Sequence, residues 1–153
     1  MQTKPISAPQ AAPEGYAALR SVETYVRNCG LPFSLIELVK MRASQINGCA
    51  YCLAMHSKDA RKHGETEERL YLLNAWRESS LYTPAEKAAL AWTETLTLMA
   101  QRGDAHPDFG FLRQHFSDKE IVDLTILIGM INLWNRYAVG LYSEQAIARA
   151  EAA

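Results

Sequence analysis

The chain has 153 residues, 48% of them apolar and 22% charged, and its formal net charge at pH 7 is −1. That length suffices for one domain with a core, and the near balance of charge excludes the electrostatic footprint of a nucleic-acid or anionic-membrane partner. Three cysteines, an odd number, argue against a secreted disulfide framework, and the Pro-, Ala- and Gln-rich start lacks the apolar stretch of a signal peptide. The expectation is a cytoplasmic protein, in which closely spaced cysteines are catalytic or metal-binding rather than structural.

Residues 1–13 read as a flexible arm and 14–153 as a single all-helical domain. From Pro13 onward, Tyr16, Leu19, Val22, Tyr25 and Val26 recur on one helical face until Gly30 and Pro32 stop the run. Phe33 to Ile46 forms a second helix, rich in apolar residues, and Asn47-Gly48 breaks it. A third runs from Cys49 to about His63, with Gly64 just past its end. Thr66 caps a short helix carrying Leu70, Leu72 and Leu73. Thr83-Pro84-Ala85-Glu86 is a capping box with Pro at the first helical position, and its helix extends to about Arg102. Asp104 to Phe116 reads as a loop and a short helix. Ser117 and Glu120 form a second capping box, which opens the longest helix, to about Tyr142, before a polar Ala-rich tail. Leu124 to Trp134 is apolar nearly all round, which predicts burial on every side, against either the core or another subunit. It is too short to span a bilayer. Strand alternation of useful length is missing, so the expected fold is an all-α bundle of about six to seven helices.

The break at Asn47-Gly48 puts Cys49 and Cys52 in the first turn of a helix. Unpaired N–H groups there carry partial positive charge and stabilise a thiolate. Residues three apart share a face with Cβ atoms about 5–6 Å apart, so a slight tightening of the turn closes a disulfide. The pair can therefore cycle between dithiol and disulfide. His56, one turn beyond Cys52 on the same face, can accept or return a proton near neutral pH.

A link as short as Asn47-Gly48 packs its two helices antiparallel. At a rise of about 1.5 Å per residue, Glu37 lies roughly 15 Å from the turn and His56 roughly 12 Å, whereas Cys52 lies roughly 6 Å away. Glu37 is thus level with His56. It sits among Leu35, Ile36, Leu38 and Val39, where a carboxylate is costly unless it is paired or protonated. Pairing gives a relay from Glu37 through His56 to Cys52. Ser44, two turns after Glu37 on the same face, falls near the level of the cysteines. The bland alternative is that Glu37 points to solvent.

These residues resemble the alkylhydroperoxidase AhpD-like branch of the carboxymuconolactone decarboxylase superfamily. The shared pattern is a Glu twelve residues before the first Cys, then Arg-x-Ser, then Cys-x-x-Cys-x-x-x-His, here Glu37, Arg42, Ser44, Cys49, Cys52 and His56. The resemblance implies a homo-oligomeric AhpD-like bundle, a dimer, trimer or hexamer, that reduces hydroperoxides without a bound cofactor or metal. Cys52 would attack the hydroperoxide and Cys49 would resolve the sulfenic acid as a Cys49–Cys52 disulfide. Glu37 and His56 would relay protons, with Tyr51, Ser44 and Arg42 in support. A dithiol reductant such as a lipoyl protein or a thioredoxin-like donor would reset the pair. One departure is Tyr51, where the best-described peroxidase of the family has a His. A phenol, with a pKa of about 10, is a poor base but a serviceable hydrogen-bond donor, which implies weaker or redirected activity.

Three other readings use the same residues. Cys49, Cys52 and His56 could hold zinc, with a fourth ligand from Cys29, His63, His106 or His115, although a similarly spaced second ligand pair is missing. A thioredoxin-like oxidoreductase would need strands around its cysteine helix. A non-catalytic scaffold would simply bury the thiols. Trp76, Trp92 and Trp134 read as core or interface anchors, and Tyr51, Met55 and Trp134 as the lining of a substrate pocket.

Overall fold

In a computed structural model of the chain, residues 5–103 and 107–141 are described. Seven α-helices form among them: α1 (Ala8–Ala11), α2 (Pro13–Asn28), α3 (Phe33–Asn47), α4 (Ala50–Lys62), α5 (Glu67–Tyr71), α6 (Pro84–Thr97) and α7 (Asp118–Gly140). Short 3-10 turns at Leu73–Ala75, Met99–Gln101 and Gly110–Gln114 connect or extend them. The described residues contain no strand, and none of their helices is long and apolar enough to cross a membrane. The all-α expectation holds.

The architecture is built around α3, which packs against α4, α6 and α7. Nine of its residues are buried, including Leu35, Ile36, Leu38 and Val39, so it has little polar face to give to solvent. On one side Leu19 and Val26 of α2, Ile36 and Val39 of α3, Trp92 of α6, and Leu124 and Ile128 of α7 share a core. On another, Leu38 and Met41 meet Ala60 of α4, Leu70 of α5, Leu73, Trp76 and Leu90.

The capping signals read from the sequence are realised. Thr83 and Ser117 each accept from the backbone N–H three residues on, while Glu86 and Glu120 reach back to the cap residue's own N–H. At the end of α3, Gly48 adopts φ 64° and the N–H of Cys49 donates to Ser44 O at 3.0 Å, a Schellman closure that needs a left-handed residue. Gly64, at φ 96°, closes α4 in the same way, with Glu65 N–H donating to Ala60 O at 3.0 Å.

Three sequence expectations are corrected. Ala8–Ala11 of the arm form a helical turn, and Ile6 N–H donates to Leu141 O at 3.3 Å, which ties the start of the chain to the end of α7. The buried face of α2 is Leu19, Glu23 and Val26, while Val22 and Tyr25 are exposed, because Glu23 finds cationic partners inside. The α6 helix ends at Thr97 and tightens into a 3-10 turn instead of running to Arg102. On α7, Leu124, Leu127, Ile128, Met130 and Ile131 are buried within the chain while Leu133 is exposed. The expected helix end near Tyr142 and the tail lie outside the described residues.

Candidate active site

The short turn at Gly48 brings the ends of α3 and α4 together and makes Cys49 the N-cap of α4. Its sulfur accepts the backbone N–H of Cys52 at 3.3 Å, satisfying one of the otherwise orphaned donors of the first turn. Cys49 and Cys52 are joined as a disulfide, with Cα atoms 5.3 Å apart. Both are buried, with relative exposures of 1% and 2%.

One turn along α4, His56 is buried and its Nδ1 lies 2.9 Å from Oε2 of Glu37. Glu37 comes from the middle of α3 and is 1% exposed, so it does not point to solvent. With Glu37 as a carboxylate, Nδ1–H donates and Nε2 is left as the basic nitrogen of the ring. The pairing expected from helical rise is therefore present.

The sequence did not anticipate what lies behind Glu37. Lys40, one turn later on α3 and 1% exposed, sets its Nζ 3.5 Å from Oε1 of Glu37 and 2.8 Å from Oε1 of Glu23 on α2. Glu23 also accepts from Arg27 Nε at 3.1 Å and from Trp134 Nε1 at 3.2 Å. Burial pushes the Glu23 carboxyl up, but Lys40 and Arg27 outweigh it and hold the group below the usual carboxylate range. A continuous run of charged groups thus crosses the interior, from Arg27 through Glu23, Lys40 and Glu37 to His56. The Glu37–Lys40 spacing was a readable helix pair. Glu23 carried a local helix pair only with Arg27, which did not reveal its contact with Lys40 on another helix.

The remaining candidates divide. Ser44 is buried and accepts from Asn135 Nδ2 of α7 at 3.0 Å. Asn135 Oδ1 in turn accepts from Asn47 Nδ2 at 2.8 Å, so Ser44 belongs to an amide network pinning the hairpin turn to α7. Arg42 turns to α6, where its Nε donates to Glu94 Oε1 at 2.8 Å. Tyr51 is half-buried in the first turn of α4. A cavity of about 340 Å³ lies between α3, α4 and α5, lined by Met41, Leu53, Ser57, Arg61, Leu70 and Tyr71 among others. Tyr51, Met55 and Trp134, expected to line a pocket, are not among the residues lining this cavity. Trp134 is engaged by Glu23 and packs edge-on to Tyr16 and Tyr137.

The zinc set is not assembled as expected. The cysteines are bonded to each other, His63 is exposed and stacks on Phe33, and His115 is exposed beside Phe116. Cys29 is a half-buried free thiol against the α2–α7 core, and His106 lies outside the described residues. Glu37, His56 and Asp59 do converge, with ligand atoms within 4.8 Å of one another. The Lys40 ammonium beside Glu37 already supplies a positive charge there, which opposes a second cation.

Residues 10–95 match the model of the carboxymuconolactone decarboxylase family. The chain is 40% identical to the uncharacterised protein YdfG of Bacillus subtilis over 141 residues, 92% of this chain and 96% of that protein. A crystal structure from Agrobacterium tumefaciens, of a protein of unknown function with the suggested assignment of antioxidant defence protein AhpD, superposes with a TM-score of 0.86. It is 46% identical and covers 93% of this chain and 97% of its own. The debrominase Bmp8 shares the fold at a TM-score of 0.73 and 22% identity, covering 92% of this chain and 77% of its own.

Proposed function

The chain belongs to the carboxymuconolactone decarboxylase family, in its AhpD-like branch, and from that premise we propose that it is a cysteine-dependent hydroperoxidase. The observation that carries this reading is a Cys49–Cys52 disulfide at a helix start, one turn before a buried His56–Glu37 pair. The disulfide is the oxidised end state of the cycle. In the reduced state the N-terminal turn of α4 favours a thiolate at Cys52.

That thiolate attacks a hydroperoxide oxygen, forming the S–O bond as the O–O bond breaks. The departing alkoxide takes a proton returned by His56 and leaves as an alcohol. The Cys49 thiol then attacks the sulfenic sulfur, and the hydroxyl departs with a proton as water. An outside dithiol exchanges with the disulfide, restores both thiols and leaves oxidised. Glu37 holds the imidazole in one tautomer throughout. The reading includes a cytoplasmic homo-oligomer reset by a lipoyl protein or a thioredoxin-like donor.

A debrominase on the same fold shows that the fold does not choose the oxidant. A panel of hydrogen peroxide and organic hydroperoxides, each run with several dithiol donors, tests the choice directly. The wild type should consume at least one hydroperoxide, and Cys52→Ser should fall to the uncatalysed background. Turnover retained by Cys52→Ser, or absent from the wild type across the panel, would end this assignment.

A further inference from the structure

Lysine is rarely fully buried, and Lys40 is among the largest side chains in the molecule with almost no exposure. A buried ammonium needs anionic partners, and it has two: Glu23 at 2.8 Å on one side and Glu37 at 3.5 Å on the other. Glu37 in turn faces His56 and, from the next turn of α4, Asp59. The other helices against α3 bring Glu94 and Asp123, whose charges are met by Arg42 and Arg77 and by Lys119 rather than by Lys40. Asp123 also accepts from Tyr25. Lys40 is thus the cation that stands between the α2 carboxylate and the Glu37–His56 pair.

We propose that Lys40, anchored from behind by Glu23, is a positioning residue that keeps Glu37 ionised and aimed at His56, and so sets the lower pH limit of cysteine chemistry at Cys52. The inference rests on the proposed role of Cys52 but not on the identity of its oxidant. A positive charge in a dry interior favours deprotonation of every acid around it. Glu23 is the second half of the device. It fixes the ammonium in place, and its own negative charge tempers the field that Lys40 exerts on Glu37.

The two charges therefore predict opposite signs. The reduced protein is alkylated with iodoacetamide over a range of pH, and label at Cys52 is followed by mass spectrometry after chymotryptic cleavage at Tyr51, which separates it from Cys49 and Cys29. Hydroperoxide turnover is measured over the same range. In Lys40→Met the acid limb of both profiles should move to higher pH by about one unit, a tenfold loss of the reactive form at a given pH there. Lys40→Arg should restore most of the wild-type limb. Glu23→Gln should move the limb to lower pH, because Lys40 then acts on Glu37 alone.

If Lys40→Met fails to fold, the double variant Lys40→Met/Glu23→Gln removes both charges without stranding a carboxylate on α2, and a smaller shift in the same upward direction is expected. Profiles that keep the wild-type limb while only their amplitude falls would overturn the proposal, as would shifts of the same sign in Lys40→Met and Glu23→Gln. If no hydroperoxide is turned over but the alkylation limb shifts as stated, the oxidant is wrong and the role of Lys40 stands.

Discussion

Two buried carboxylates, Glu37 on α3 and Glu94 packed beside it, do different things with their burial. Glu94 of α6 accepts from Trp76 Nε1 at 2.8 Å, from Arg42 Nε at 2.8 Å, and from Arg77. Burial pushes its carboxyl up, but Trp76, Arg77 and Arg42 outweigh that and hold it below the usual range. All of its partners are permanent donors, so nothing in the cluster changes charge near neutral pH. Glu37 divides its oxygens between Lys40 and His56, and an imidazole, unlike a guanidinium or an indole, has a ring nitrogen that can either carry or lack a proton. Burying a charge is therefore not what marks a working site. The mark is a partner whose protonation can change.

The sharpest way to break this contrast is to neutralise each carboxylate. Glu37→Gln keeps the shape but loses the anion that orients His56, and hydroperoxide turnover in steady-state assays should fall by about 10²-fold. Little change would remove Glu37 from the proposed relay. Glu94→Gln should leave kcat within a few-fold of wild type while costing about 3 kcal/mol in urea unfolding, because it removes the anion that Arg42 and Arg77 face. A large loss of turnover with normal stability would reverse the assignment of the two sites.

Acid unfolding gives a smaller, finer test. Glu23, Glu94 and Asp123 all have carboxyls lowered in the folded state, which means the unfolded chain binds their protons more readily. Their stabilisation is complete above the unfolded value of 4.5 for the glutamates and is lost as pH falls through the lower folded values. The melting temperature should be level near neutrality with respect to these groups and decline below about pH 4.5, and the decline should be shallower in Glu94→Gln. Equal slopes would take Glu94 out of the acid transition.

What could be read in advance follows from range along the chain. The helices, both capping boxes and the placement of Cys49 and Cys52 at a helix start depend on residues within four positions of one another. The Glu37–His56 contact, nineteen residues apart, was also legible, because one tight turn and a fixed helical rise determine which residues are level. Glu23 was not, since its partner Lys40 lies on another helix across a longer connection, and an acid among apolar neighbours on α2 reads as a solvent position. Ser44 and Arg42 lie on α3 as expected, and their side chains turn to Asn135 and Glu94, a choice fixed by how α6 and α7 dock. The placement of Trp134 was illegible for the same reason. Trp134 is held by Glu23, which no local pattern reveals.

The shielding of both sulfurs has a kinetic corollary. A macromolecular reductant of the kind proposed would not reach the buried Cys49–Cys52 bond in line while the helices stand as described, and the hairpin would first have to part by a local fluctuation. Recharging then has a ceiling: beyond a certain donor concentration, faster delivery of electrons gains nothing, and the tempo belongs to the breathing of the scaffold.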